Sequence, residues 1–281
     1  AIIEQPDTTT VVEPGWTGTV HGSGSIILTR DEANMVAQRE FDPVTLEVIR
    51  HRLDGIANEM QATLMQASFS NIVKEGEDCS SAIFSTGGEP LSLALAHPIH
   101  LSTMIPALHA TLKDFPPATM QEGDLYMMNE PYRGGTHLPD ILVAEPVFAD
   151  GTLVAITVSL THHQDVGGMT PGSIPPNATD IFQEGLRIPP ICFRRAGLFD
   201  DSVMRLLRNN SRTPDEFMGD LDAQVSACAI GARRETCASR SPMNRFPPVP
   251  SGRGGCAKPP ASTVARCCWK PSDSCSTVPR K

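Results

Sequence analysis

Two short stretches hold the side chains best suited to chemistry. One is His137-Leu138-Pro139-Asp140 and the other is His162-His163-Gln164-Asp165. Imidazole nitrogens grouped with carboxylate oxygens form the donor set of a divalent metal site. Neither step is specific alone, because a histidine at a strand end more commonly meets a hydrogen bond than an ion. Glycine pairs flank both steps, Gly134-Gly135 before the first and Gly167-Gly168 after the second. They fit a close approach of backbone to a ligand, and equally a loop that needs positive φ.

The segments between these stretches must bring them together. Residues 141–148 and 153–160 are rich in Val, Ile, Leu and Thr, and between them stands Ala149-Asp150-Gly151-Thr152. Asp-Gly between two such runs is a hairpin signal, because both central residues of a type I′ turn take positive φ. A two-residue turn pairs Ala149 with Thr152, and an unbroken ladder then sets Asp140 opposite Thr161. His137 falls just before the first strand, and His162, His163 and Asp165 just after the second. In that ideal register Asp140 shares its face with Thr161 and, diagonally, with His163, because side chains alternate along a strand.

Around this hairpin the sequence predicts an α+β fold: a mixed or antiparallel sheet with several packed helices. Asp42-Pro43 is an N-cap followed by proline at the first helical position. Apolar residues then recur at Leu46, Ile49, Leu53, Ile56, Met60, Leu64 and Ala67, the spacing of an amphipathic helix of about seven turns. Residues 70–78 read as a solvated polar loop before a strand at 81–84. Residues 98–115 read as a helix, with His97, His100 and His109 as ordinary helix or cap histidines. Further predictions are a strand at 125–128 and helices at 201–209 and 214–234.

Before residue 31 the chain reads as short strands and turns, followed by a linker over 31–40. From Glu235 onward it turns basic and rich in Ser, Pro and Cys, without periodicity. Residues 235–281 are therefore expected to form a disordered or out-of-frame tail.

Composition narrows the function classes. A net charge of -9 over 281 residues argues against nucleic acid or an anionic membrane as partner. No apolar run reaches membrane-spanning length. The cysteines show no CxxC spacing in the body, and together with the missing leader pattern this points to a reducing cytoplasm. No GxxxxGK[ST] phosphate loop is present.

Three motifs, read in order, carry a resemblance. NIVKEGEDCSSAIF at 71–84, NEPYRGGTHLPD at 129–140 and HHQDVGGMTPGS at 162–173 resemble the hydantoinase B/5-oxoprolinase family. Its relatives include the large subunits of acetone and acetophenone carboxylases. The resemblance covers about residues 41–234, with Glu130 standing where Asp would be expected. Residues 1–30 resemble the C-terminal end of the partner family, hydantoinase A, so the chain looks like part of an A–B fusion.

The resemblance implies an ATP-dependent reaction on a cyclic amide. An A-type subunit or domain would bind ATP and activate the carbonyl, and the B-type part would open the ring. A carboxylase-like subunit, or an inactive piece that only assembles with its partner into an oligomer, are the alternatives. It also implies a divalent metal (Mn, Mg or Zn) held by Glu75, His137, Asp140 and His162. Glu77 or Asp78 would substitute for Glu75 if the loop shifts. The motif favours His162 over His163, and a bulge at the strand end would reconcile that choice with the hairpin register.

Overall fold

The computed structural model describes residues 2–4, 9–12, 16–30, 43–94, 97–240 and 265–266. The chain divides into two compact units, residues 1–43 with 249–281, and residues 44–248. The first holds the hairpin β1 (Ile2–Glu4) and β2 (Thr9–Val11), and the pair β3 (Trp16–Val20) and β4 (Ile26–Arg30). A two-residue strand, Ala265–Arg266, adds to the free side of β4.

The second unit is built on seven strands. They are β5 (Cys79–Phe84), β6 (Pro90–Leu93), β7 (Leu125–Met128), β8 (Asp140–Ala149), β9 (Thr152–His162), β10 (Ile191–Arg195) and β11 (Leu198–Phe199), in the sheet order β11-β10-β7-β8-β9-β5-β6. Every pairing is antiparallel. Its helices are α1 (Pro43–Ala67), α2 (Asn71–Lys74), α3 (Pro98–Asp114), α4 (Asp201–Asn210) and α5 (Pro214–Arg240). This is the α+β architecture read from the sequence, with the hairpin β8–β9 at its centre. No helix among the described residues is long and apolar enough to cross a membrane.

Alternation decides what each face of the sheet carries. Ala82, Phe84, Tyr126, Met128, Leu142, Ala144, Ile156, Val158 and Leu160 form one core with Met104 and Leu108 of α3. The odd-numbered residues Ile83, Leu125, Met127, Ile141 and Val143 face the other way, into clusters shared with Met60 and Leu64 of α1 and Leu221 and Ala227 of α5. Strands covered on both faces lose the polar alternation of a half-exposed sheet. That is why β8 and β9 read as near-continuous apolar runs.

The hairpin turn forms as predicted, with Asp150 at φ 50 and Gly151 at φ 77. The ladder beyond it does not stay regular. Phe148 pairs with Leu153 but Val147 pairs with Ala155, leaving Val154 as the extra residue of a β-bulge. The register is thereby shifted by one, and Asp140 stands opposite His162, not Thr161. A bulge does supply the reconciliation, but it sits beside the turn and not at the open end.

Two other expectations change. Residues 70–78 are not a simple solvated loop: α2 forms there and buries Val73 against the core that includes Cys79 and Ile83. And α5 continues to Arg240, past the predicted end at 234. Glu235 is buried, and Thr236 donates a hydrogen bond to the Phe148 carbonyl at 3.1 Å, so the helix stays packed against the hairpin where composition had suggested a break. Most of the expected tail lies outside the described residues.

Candidate metal centre

The open end of the hairpin gathers the site. Asp140 opens β8 and His162 closes β9, as cross-strand neighbours on the α3 face of the sheet. His137 precedes β8 in a tight turn, in which the Asp140 N–H donates to the His137 carbonyl at 3.0 Å. His137 Nε2 lies 2.8 Å from Asp140 Oδ1, His162 Nδ1 lies 3.0 Å from the same oxygen, and the two nitrogens are 3.0 Å apart. His137, Asp140 and His162 are a group able to hold a metal ion, with their ligand atoms within 4.8 Å of one another. The face of an octahedron with bonds of about 2.1 Å has edges of about 3.0 Å, so the three atoms are spaced as facial ligands.

Several backbone devices hold this arrangement. Asn129 donates from Nδ2 to the carbonyls of Leu138 (2.7 Å) and Leu186 (2.9 Å) and accepts from the Ile188 N–H (2.7 Å). It therefore ties the His137 loop to the segment at 186–188. Gly134 takes φ 111, and a Cβ there would lie 2.6 Å from the Ala107 nitrogen of α3, so the loop can pass this close to the helix only with glycine. Thr136 Oγ1 donates to Asp140 Oδ2. The His162 N–H donates to the Asp78 carbonyl at 3.0 Å, and the His163 N–H to that of Pro139 at 2.9 Å.

The electrostatics follow from these contacts. Burial works to raise Asp140, but hydrogen bonds from His137 and His162 outweigh it and hold the carboxyl well below the usual range. The hydrogen bond to Asp140 raises His137 against the opposing effect of burial.

The remaining candidates separate. Glu75 is exposed at the C-terminal end of α2 and is not a member of the group. Asp78 is outside the group as well, but it lies nearer, with Oδ2 3.8 Å from His162 Nδ1. His163 is fully buried on the opposite face, with Nε2 3.0 Å from Gln224 Oε1 of α5 and its ring against Phe217. Asp165 is a loop clamp that accepts N–H bonds from Gly167, Gly172 and Arg212 and pairs with the Arg212 guanidinium at 2.9 Å. Sequence reasoning passed over His100. It is 2 % exposed, with Nδ1 2.9 Å from Ser80 Oγ and Nε2 3.3 Å from Asp78 Oδ1. Its one advance signal was its place in the first turn of a helix whose apolar face meets the sheet.

Comparison with known proteins agrees with the fold and these motifs. The family model for hydantoinase B/oxoprolinase matches residues 42–238, and the chain belongs to this family. A 5-oxoprolinase of Dictyostelium discoideum is 36% identical over 229 residues, covering 81% of this chain and 18% of that protein. Caprolactamase subunit beta of Pseudomonas jessenii is 38% identical over 192 residues, covering 68% of this chain and 33% of the relative. The crystal structure of the ATP-dependent caprolactamase superposes with a TM-score of 0.67 at 34% identity, over 74% of this chain and 36% of that one. A nucleotide-free acetone carboxylase shares the fold, with a TM-score of 0.68 at 19% identity over 78% of this chain and 29% of that one. The chain thus spans between about a fifth and about a third of the length of these relatives.

Proposed function

We propose that this chain is the N-terminal portion of a B-type unit of an ATP-dependent cyclic-amide hydrolase, and that it binds a divalent metal through His137, Asp140 and His162. One observation carries the reading. Two imidazole nitrogens and a carboxylate oxygen converge on one point at 2.8 to 3.0 Å from each other. Hydrogen bonds alone do not satisfy such a triangle. If both rings donate to Asp140, their two N–H groups face each other; if only one does, the lone pair of the other ring faces the carboxylate oxygen; and if neither does, only lone pairs meet. A cation at the apex satisfies all three at once, with neutral imidazoles as borderline ligands and a carboxylate as a hard one. An ion held there would supply Lewis acidity toward a carbonyl or a bound water.

A lactam or hydantoin is the favoured substrate class, because relatives 33% to 38% identical over the matched stretch are named for such substrates. ATP would be bound by an A-type partner, consistent with the lack of a phosphate loop here. The acetone carboxylase likeness is one of fold, and so does not favour the carboxylase alternative.

The test is the metal content of the purified chain after dialysis against trace Mn²⁺ and Zn²⁺. About one ion per chain is expected, with nearly complete loss in Asp140→Asn. A wild-type chain holding no more metal than that variant would overturn the reading. Release of ring-opened product and phosphate by the full-length gene product with an A-type partner, ATP and 5-oxoproline or caprolactam tests the substrate class.

A further inference from the structure

His100 enters the site from the helix that covers it. It lies in the first turn of α3, while Ser80 lies on β5, whose even-numbered residues face that helix. The ring is held from one side by Ser80 Oγ, 2.9 Å from Nδ1. Its other nitrogen points between two carboxylates that come from different parts of the chain. Nε2 is 3.3 Å from Asp78 Oδ1 and 3.8 Å from Asp140 Oδ2. Only an N–H is attracted to both, so Nε2 carries the proton and Nδ1 accepts from the Ser80 hydroxyl. A neutral imidazole offers one donor and one acceptor, and this environment uses both.

Each carboxylate divides its oxygens in the same sense. Asp140 turns Oδ1 to His137 and His162, and Oδ2 to His100 and Thr136. Asp78 turns Oδ2 toward His162 at 3.8 Å and Oδ1 toward His100. The two acids therefore lean on one buried imidazole while their other oxygens face His162, and that of Asp140 faces His137 as well.

We propose that His100 is a positioning residue of the metal centre. Its Nε2–H, aimed by Ser80, holds Asp78 and Asp140 so that both face the ion. Asp78, not Glu75, is then the fourth group of the site. The inference rests on the metal reading above. Partners that orient ligand carboxylates typically govern metal affinity by about 10–100-fold, whereas a histidine that only fills space is replaced by another ring of similar volume at no cost to the ion.

The experiment uses the full 281-residue chain. Zn²⁺ affinity is measured by competition with a chromogenic chelator and Mn²⁺ affinity by the EPR signal of the free ion. Circular dichroism melting without metal serves as the folding control. His100→Phe is expected to weaken both ions by about 10–100-fold. His100→Gln, which can return an amide N–H to the place of Nε2, is expected to recover most of the affinity. Ser80→Ala should fall between them, and Ser80→Thr, which keeps the hydroxyl, should match the wild type. Asp78→Asn should weaken binding and Glu75→Gln should leave it unchanged.

Unchanged affinity in His100→Phe overturns the inference. So does a His100→Gln variant as weak as His100→Phe, because Nε2 would then be a ligand and not a donor. Should His100→Phe not fold, the Ser80 pair decides: equal affinities in Ala and Thr overturn the inference. A wild-type chain that binds neither ion fails the metal reading itself, which distinguishes the two failures.

Discussion

Asp140 is the residue that His137, His162, Thr136 and His100 all approach. It is 4 % exposed, and its charge survives burial only because His137, His162 and Thr136 donate to it. A buried carboxylate stripped of donors costs several kcal/mol. His137→Ala therefore should lower metal affinity by at least about 100-fold and also lower the apo melting temperature, because it takes a hydrogen-bond donor from the buried Asp140. Calorimetry with and without metal reads both quantities. Glu235 offers a separate test on stability. Burial pushes its carboxyl up to about 7 from an ordinary 4.5, and its Oε1 has no hydrogen-bond partner. Folding thus favours the neutral acid. The penalty is absent below about pH 4.5, grows as pH rises through about 7, and is constant above that. Glu235→Gln should leave stability unchanged near pH 4.5 and raise it by about 1–3 kcal/mol at pH 8. Urea unfolding at the two pH values measures the difference, and an equal effect at both would refute it.

At the scale of elements, one extra residue decides the geometry. The bulge at Val154 shifts β9 by one position relative to β8, which brings His162 to the face that carries Asp140 and sends Thr161 and His163 behind the sheet. A regular hairpin would have exchanged them. The passage of the His137 loop over α3 is the second element-scale constraint. Gly134→Ala adds a Cβ 2.6 Å from backbone atoms of Pro106 and Ala107 at a φ of 111. It should cost about 2–4 kcal/mol and weaken metal binding through displacement of His137. A variant of unchanged melting temperature and affinity would show that the loop has room to move.

For the whole molecule, the first turns of α1 stand out. Val44 is 68% exposed, with Leu46 and Val48 at 49% and 42%, whereas Ile56, Met60 and Leu64 further along are buried. Among the described residues the apolar stripe is thus buried only over its second half. Apolar side chains left open favour association. The purified chain should gain mass with concentration in sedimentation experiments, and Val44→Lys with Leu46→Lys should suppress this. It should also show no ATP-dependent ring opening by itself. Turnover by the chain alone that His137→Ala abolishes would refute that expectation. The buried core clusters of the second unit lie between Ile56 and Cys228. Removing residues 241–281 should accordingly leave the melting of that unit unchanged.

The sequence by itself determined the periodic and punctuated features. The spacing of apolar residues marked α1, Asp150-Gly151 marked the hairpin, and the three motifs marked the family. These signals are local, written in neighbours a turn or a ladder step apart. They were enough to place His137, Asp140 and His162 near one another. The tertiary structure alone decided the strand register and which further side chains meet there. No residue type announces the bulge at Val154, because Val fits a strand whether or not it has a partner. Asp78 stands beside His162 and His100, whereas Glu75 is exposed at the end of α2. His100 reaches both carboxylates because α3 packs across the even-numbered face of β5 and β9. Contacts between segments so far apart in the chain depend on register and packing, and neither is carried by any single stretch of residues.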